Sequence, residues 1–279
     1  GLALGLAFAA FGHRGRLLTR SGGAGVVGVT ALAFGAGGWE WGTVMALHLL
    51  SAGLWTRYRA AAKEALSQRH ERPGPLGLAP VVARTGWATL LALVRWSGAG
   101  GTVIYGAYVG ALAAATADRW GTEVGLLSAQ PPRLITTRAR AVPGAPGAVS
   151  PLGLVAALGG TWMVGLASLG TGVLSAWIEI LPYDRGLLWL PLVAVVAGLV
   201  GSWFWAVLND EEGIAGPLHR LLEKNSFTKK WMTCPLCSGA WFAIIPSLIL
   251  FHDALFSALI TAFAAAAVSA IVSTYFLGD

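Results

Sequence analysis

The chain has 279 residues, of which 56% are hydrophobic and only 11% charged, with a formal net charge of +6. Soluble domains carry about 25% charged residues, so this composition excludes an ordinary soluble protein and points to an integral membrane protein. The 19 Lys and Arg crowd the segments between apolar runs, as the positive-inside rule describes, so the charge excludes nucleic acid as a partner.

In chain order, Gly1 to Phe11 is apolar and begins without a basic region or a starting methionine, so we expect a truncated first span. His13, Arg14, Arg16 and Arg20 make a basic loop. Gly22 to Gly38 and Trp39 to Trp55 are apolar runs split by Gly37-Gly38 and Glu40. Each falls short of the roughly 20 residues that cross about 30 Å of hydrocarbon; we read two short spans, with a re-entrant pair as the alternative. Arg57 to Arg72 reads as a short amphipathic helix in the interface, ended by Pro73-Gly74-Pro75. Leu76 to Val94 and Gly98 to Ala117 are the next spans, the first with Arg84 inside it. Leu152 to Ala176 and Leu187 to Leu208 follow, separated by a polar loop at Glu179 to Arg185.

Composition shifts near Asn209. The first 208 residues hold one lysine and no asparagine, whereas Lys224, Asn225, Lys229 and Lys230 follow soon after. We therefore expect a seven-span module over 1–208, a linker over 209–230 and a two-span hairpin over 231–279. The fold class is an all-α polytopic bundle of about nine transmembrane helices. If the loop at 12–21 faces the cytoplasm and spans alternate, 16 of the 19 Lys and Arg fall on that side; the others are Arg84, Arg95 and Arg185. This asymmetry puts the 118–150 segment and the C-terminus in the cytoplasm, in what we read as a bacterial inner (plasma) membrane.

The chain's long polar interruption runs from Asp118 to Ser150. An ionisable residue such as Asp118 at bilayer-edge depth is costly unless paired, solvated or bound to metal. If the helix continues through it, Thr122 lies one turn on along the same face, while Glu123, five positions away, points elsewhere. Two carboxylates around a threonine suit Mg²⁺, which takes oxygen ligands and shares them with phosphates. Arg133, Arg138 and Arg140, with Thr136 and Thr137, offer phosphate contacts, and Ser150 stands where a following helix would present its N-terminus to an anion. The spacing leaves open a plainer reading, in which the carboxylates pair with the segment's own arginines. Arg84 is open in the same way, between a pair with Asp118 or Glu123 and a phosphate contact. Near the C-terminus, Cys234 and Cys237 form a Cys-Pro-Leu-Cys motif. It supplies two of the four ligands of a structural zinc, a redox dithiol, or small residues packing a helix start.

With Asp118, Thr122, Glu123, Gly125, Pro132 to Thr137, Val142, Pro143, Gly144, Gly147, Val149 and Ser150 in this order, residues 1–208 resemble the integral membrane family termed domain of unknown function 92. That family includes a phytyl-phosphate kinase. The resemblance implies transfer of a phosphoryl group from a nucleoside triphosphate to an isoprenyl monophosphate. It casts Asp118 and Glu123 as Mg²⁺ ligands and Arg133, Thr136 and Thr137 as phosphate contacts. Five positions depart from the family pattern. Arg119 stands for a threonine, Pro80 and Arg84 stand in a run that carries glutamine and asparagine, Pro146 replaces an asparagine, and Trp205 an aspartate. We therefore expect a non-catalytic membrane subunit of a larger complex, with the Mg²⁺-dependent kinase as the alternative. Expected partners are membrane or isoprenoid lipid and other membrane subunits. Residues 200–279 resemble a small bacterial and phage membrane family with a Cys-Pro-x-Cys-x-Gly-x-Trp motif.

Overall fold

A computed structural model describes residues 1–66, 76–98, 101–135, 137–145, 147–179, 191–192 and 194–196. Thr136, Pro146, most of the 187–208 run, the linker and the Cys234/Cys237 hairpin lie outside the described residues.

The described chain is built from helices: α1 (Leu2–Arg14), α2 (Arg20–Leu32), α3 (Trp39–Arg57), α4 (Ala60–Leu66), α5 (Leu78–Trp96), α6 (Thr102–Gly125) and α7 (Pro151–Glu179). A π-helical turn, Ala33–Gly37, joins α2 to α3. Gly38 closes it at φ 96, a left-handed conformation that glycine adopts without a Cβ penalty. The two short runs on either side are thus separate helices joined by a tight turn. Thr19 caps α2 by accepting from the Gly22 amide at 3.1 Å.

Contacts show that the long helices alternate in direction. At one end, the Thr19 amide donates to the Leu76 carbonyl (3.1 Å), the Leu76 amide to the Leu17 carbonyl (2.8 Å), and the Arg57 guanidinium lies 4.5 Å from the centre of the Phe11 ring. At the other end, Trp41 packs on Tyr105 and Tyr108 at ring distances of 5.1 and 4.5 Å. The Tyr108 hydroxyl donates to the Trp41 carbonyl at 2.5 Å. Among the described residues these rings head the largest buried cluster, which continues through Val44, Met45, Val109, Leu112 and Val164. One described helix, Pro151–Ile178 with mean hydropathy 1.7, meets a length-and-composition test for crossing a membrane.

Two features differ from the sequence reading. α6 does not stop near Ala117 but runs on to Gly125, carrying Asp118 to Glu123 as helix. The polar segment is not all loop, because Arg133–Leu134 (β1) pairs antiparallel with Ala148–Val149 (β2), Arg133 opposite Val149. α6 then meets α7 at glycines. A Cβ on Gly153 would sit 2.9 Å from the Gly121 carbonyl oxygen, so these backbones touch as small residues allow in a bilayer. Gly153→Leu is expected to destabilise the fold by about 1–3 kcal/mol through overpacking. Gly28→Leu, where a Cβ meets no described atom within 4 Å, should stay within about 0.5 kcal/mol of the parent. Thermal unfolding in detergent compares the two.

Candidate functional site

The continued α6 helix decides where the carboxylates go. Asp118 and Glu123 are five residues apart, which at 3.6 residues per turn is about 140° around the axis. Thr122 does follow Asp118 by one turn, and it is exposed, while Asp118 is partly exposed. Glu123 turns inward and is buried.

Glu123 meets a cation that arrives from α4. Lys63 is fully buried, and its ammonium group lies 2.5 Å from Glu123 Oε2. It also donates to the Trp55 carbonyl at 2.5 Å and the Thr56 carbonyl at 3.3 Å. Those carbonyls belong to the last turn of α3, where four C=O groups lack partners within the helix. Lys63 therefore caps α3 against its negative dipole end while pairing with α6. All three of its N–H protons are used. The other Glu123 oxygen, Oε1, receives Arg119 Nη2 at 3.1 Å, one helical turn away. Arg119 Nη2 also donates to Thr56 Oγ1 at 2.8 Å. Thr56 Oγ1 itself lies 3.2 Å from Glu123 Oε1. The Nε of Arg119 is buried with no hydrogen-bond partner among the described residues.

Behind this cluster a polar seam follows the α3–α6 interface. Trp120 Nε1 donates to Ser51 Oγ at 3.2 Å, and Ser51 Oγ to the His48 carbonyl at 3.0 Å. His48 Nδ1 lies 2.8 Å from Thr116 Oγ1, which donates to the Leu112 carbonyl at 2.7 Å. The Thr116 proton is thus spent, so Nδ1 of His48 carries the hydrogen between them. Arg84 and Arg119 are the charged groups that bear on Asp118.

The expected shared Mg²⁺ site does not fit this geometry. Glu123 has both oxygens engaged by cations, and Asp118 lies on another face of α6. Among the described residues no three His, Cys, Asp or Glu gather as metal ligands. Ser150 also has a different role from an anion contact. Its buried hydroxyl accepts from the Gly153 amide and donates to the Gly125 carbonyl, both at 3.2 Å. It is the N-cap of α7, followed by proline at the first helical position. Arg133 is half-buried in β1, while Thr137 and Arg138 are exposed on the hairpin. Arg138 turns the chain at φ 59.

The family model described as integral membrane protein DUF92 matches residues 3–208. The chain belongs to that family. This DUF92 member is 28% identical over 210 residues to Protein PGR of Arabidopsis thaliana, covering 71% of this chain and 72% of the plant protein. A 59-residue stretch, 21% of this chain, is 41% identical to an uncharacterized membrane protein of Methanocaldococcus jannaschii, of which it covers 25%. No solved structure matches the chain. The DUF92 match takes in Asp118 to Ser150 and stops short of Cys234 and Cys237.

Sequence reasoning missed Lys63 as a site residue. Its signal was its isolation as the one lysine in the first 208 residues; its partner, 60 positions away, carried none. Lys63→Met should lower stability by about 3 kcal/mol, because it strips Glu123 of its closest cation inside the protein. Lys63→Met combined with Glu123→Gln should recover part of that loss. Denaturant unfolding of both variants measures the coupling, and equal losses in the two would contradict it.

Proposed function

We propose that this DUF92 member is a non-catalytic integral membrane subunit, built on the fold of isoprenyl-phosphate kinases and held in a larger membrane complex. One observation carries the reading. Arg119, one of the residues that depart from the family pattern, supplies positive charge to a site carboxylate. It pairs with Glu123 directly, beside Lys63. A carboxylate held by two cations from within the protein has little left to offer a Mg²⁺–phosphate group, which needs free oxygen donors. The same residues tie helices together, which is what a subunit requires of a former site.

In this reading the first 208 residues cross the membrane seven times and the terminal hairpin twice. The loops rich in Lys and Arg, the 118–150 segment and the C-terminus face the cytoplasm of a bacterial cell. The alternating helix directions and the gathering of Arg14, Arg57, Arg119 and Arg138 toward one end of the bundle support that orientation.

The alternative is a Mg²⁺-dependent kinase that turns an isoprenyl monophosphate into a diphosphate. Asp118 and Thr122, on one face and both reachable by solvent, favour it. The two readings separate in one preparation. Purified full chain given isoprenyl monophosphates, nucleoside triphosphates and Mg²⁺ is expected to show no turnover above an Asp118→Ala control. Gently solubilised from its native membrane, it is expected to migrate with partner subunits. Turnover that Asp118→Ala abolishes establishes the kinase, and a lone monomer removes the subunit reading.

A further inference from the structure

Among the described residues, the α1–α2 and α3–α4 turns carry five exposed arginines, Arg14, Arg16, Arg20, Arg57 and Arg59. The turns are neighbours, because Arg57 lies over the Phe11 ring at 4.5 Å and against Gly15. None of the five makes an ion pair among the described residues. The one buried carboxylate nearby, Glu123, is already neutralised by Lys63 and Arg119. Among the described residues the corner is therefore a concentration of positive charge.

Its composition narrows the partner. The module's only lysine is buried, so among the described residues every exposed side-chain cation at this corner other than His13 is an arginine, whose planar fork binds phosphate oxygens in pairs. Arg16 and Arg59 both hold left-handed backbone conformations, at φ 54 and 48. Beside them stand Phe11 and Tyr58, both exposed, with Trp55 at 5.5 Å from the Tyr58 ring and 5.4 Å from Trp120. Aromatic residues of this kind sit at headgroup depth in a bilayer. Arginines at that depth face lipid phosphates.

We propose that this corner is a binding surface for anionic phospholipid headgroups of the surrounding leaflet. The arginines of the two turns grip the phosphates while acyl chains lie along the outer faces of α1 and α3. Each basic residue near an anionic surface contributes about 1 kcal/mol, so several together select an anionic over a zwitterionic lipid. The surface does not depend on whether Asp118 takes part in chemistry.

The test uses the full chain reconstituted in bilayer discs of equal parts phosphatidylglycerol and phosphatidylcholine, with retained lipid read by native mass spectrometry. Phosphatidylglycerol should be enriched by about tenfold, and by less than about twofold in the variant R14Q/R16Q/R20Q/R59Q. Arg57 is left in place because it packs on Phe11. An R138Q/R140Q variant, changed on the hairpin, should keep the enrichment, and millimolar inorganic phosphate should not displace the lipid. Parity in the parent chain overturns the proposal, as does enrichment that survives the fourfold change, vanishes equally in the hairpin variant, or yields to free phosphate. Should the fourfold variant fail to assemble, raising salt from about 0.05 to 0.5 M must abolish enrichment in the parent, and an unchanged ratio overturns it.

Discussion

One buried ammonium group, Lys63 Nζ, joins three helices at one end of the bundle. It meets the Glu123 carboxylate on α6 and the last carbonyls of α3, and it comes from α4. Removing an ammonium and a carboxylate from water costs several kcal/mol each, and only close geometry with further hydrogen bonds offsets it. Both conditions are met here. The same contacts explain why a helix as short as α4, seven residues that would be marginal alone, has a fixed place. They also explain why the chain can turn back sharply after Arg57 without leaving the end of α3 uncapped.

The rest of the bundle repeats that logic in weaker form. Helices in a bilayer gain little from hydrophobic burial against one another, since lipid is as apolar as leucine. Registration must come from close backbone contact and polar pairs. Gly121, Gly125 and Gly153 supply the first between α6 and α7. His48 with Thr116, Ser51 with Trp120 and Tyr108 with the Trp41 carbonyl supply the second between α3 and α6. Their spacing on α6, at 108, 116, 120 and 123, keeps them along the α3 side for most of the helix. The Glu123 cluster is the last and strongest member of this series.

Much of the fold was legible because hydropathy and glycine punctuation report directly on helices in lipid. The two short apolar runs at 22–38 and 39–55 appear as α2 and α3, and the split at Gly37-Gly38 is where the turn lies. The length of α6 was not legible. Charged residues after Ala117 looked like an exit from the helix, yet Arg119 and Glu123 pair one turn apart and stabilise helix there. Gly121 lies inside that helix and is a contact point with α7. The β1–β2 pairing was invisible because two residues per strand carry no period. Ser150-Pro151 held a capping signal that competed with its place in a phosphate-binding pattern, and in the structure its hydroxyl is spent on the cap.

The candidate site shows how little separates a reaction centre from a joint. Each requires charged groups at helix ends, partly out of water, held by several elements. They differ in whether charge is left over for a ligand. A threonine at position 119, as the family pattern has it, would leave Glu123 with Lys63 alone and one oxygen facing Thr56. An arginine there reaches the same oxygen from one turn away and also bonds Thr56. Glu123 then carries two cations, more than its own charge needs. The carboxylate is conformationally fixed by that excess, and α3, α4 and α6 are fixed with it. Arginine at this single helical position thus makes the carboxylate part of internal cross-bracing, while the sequence around it still reads as a site.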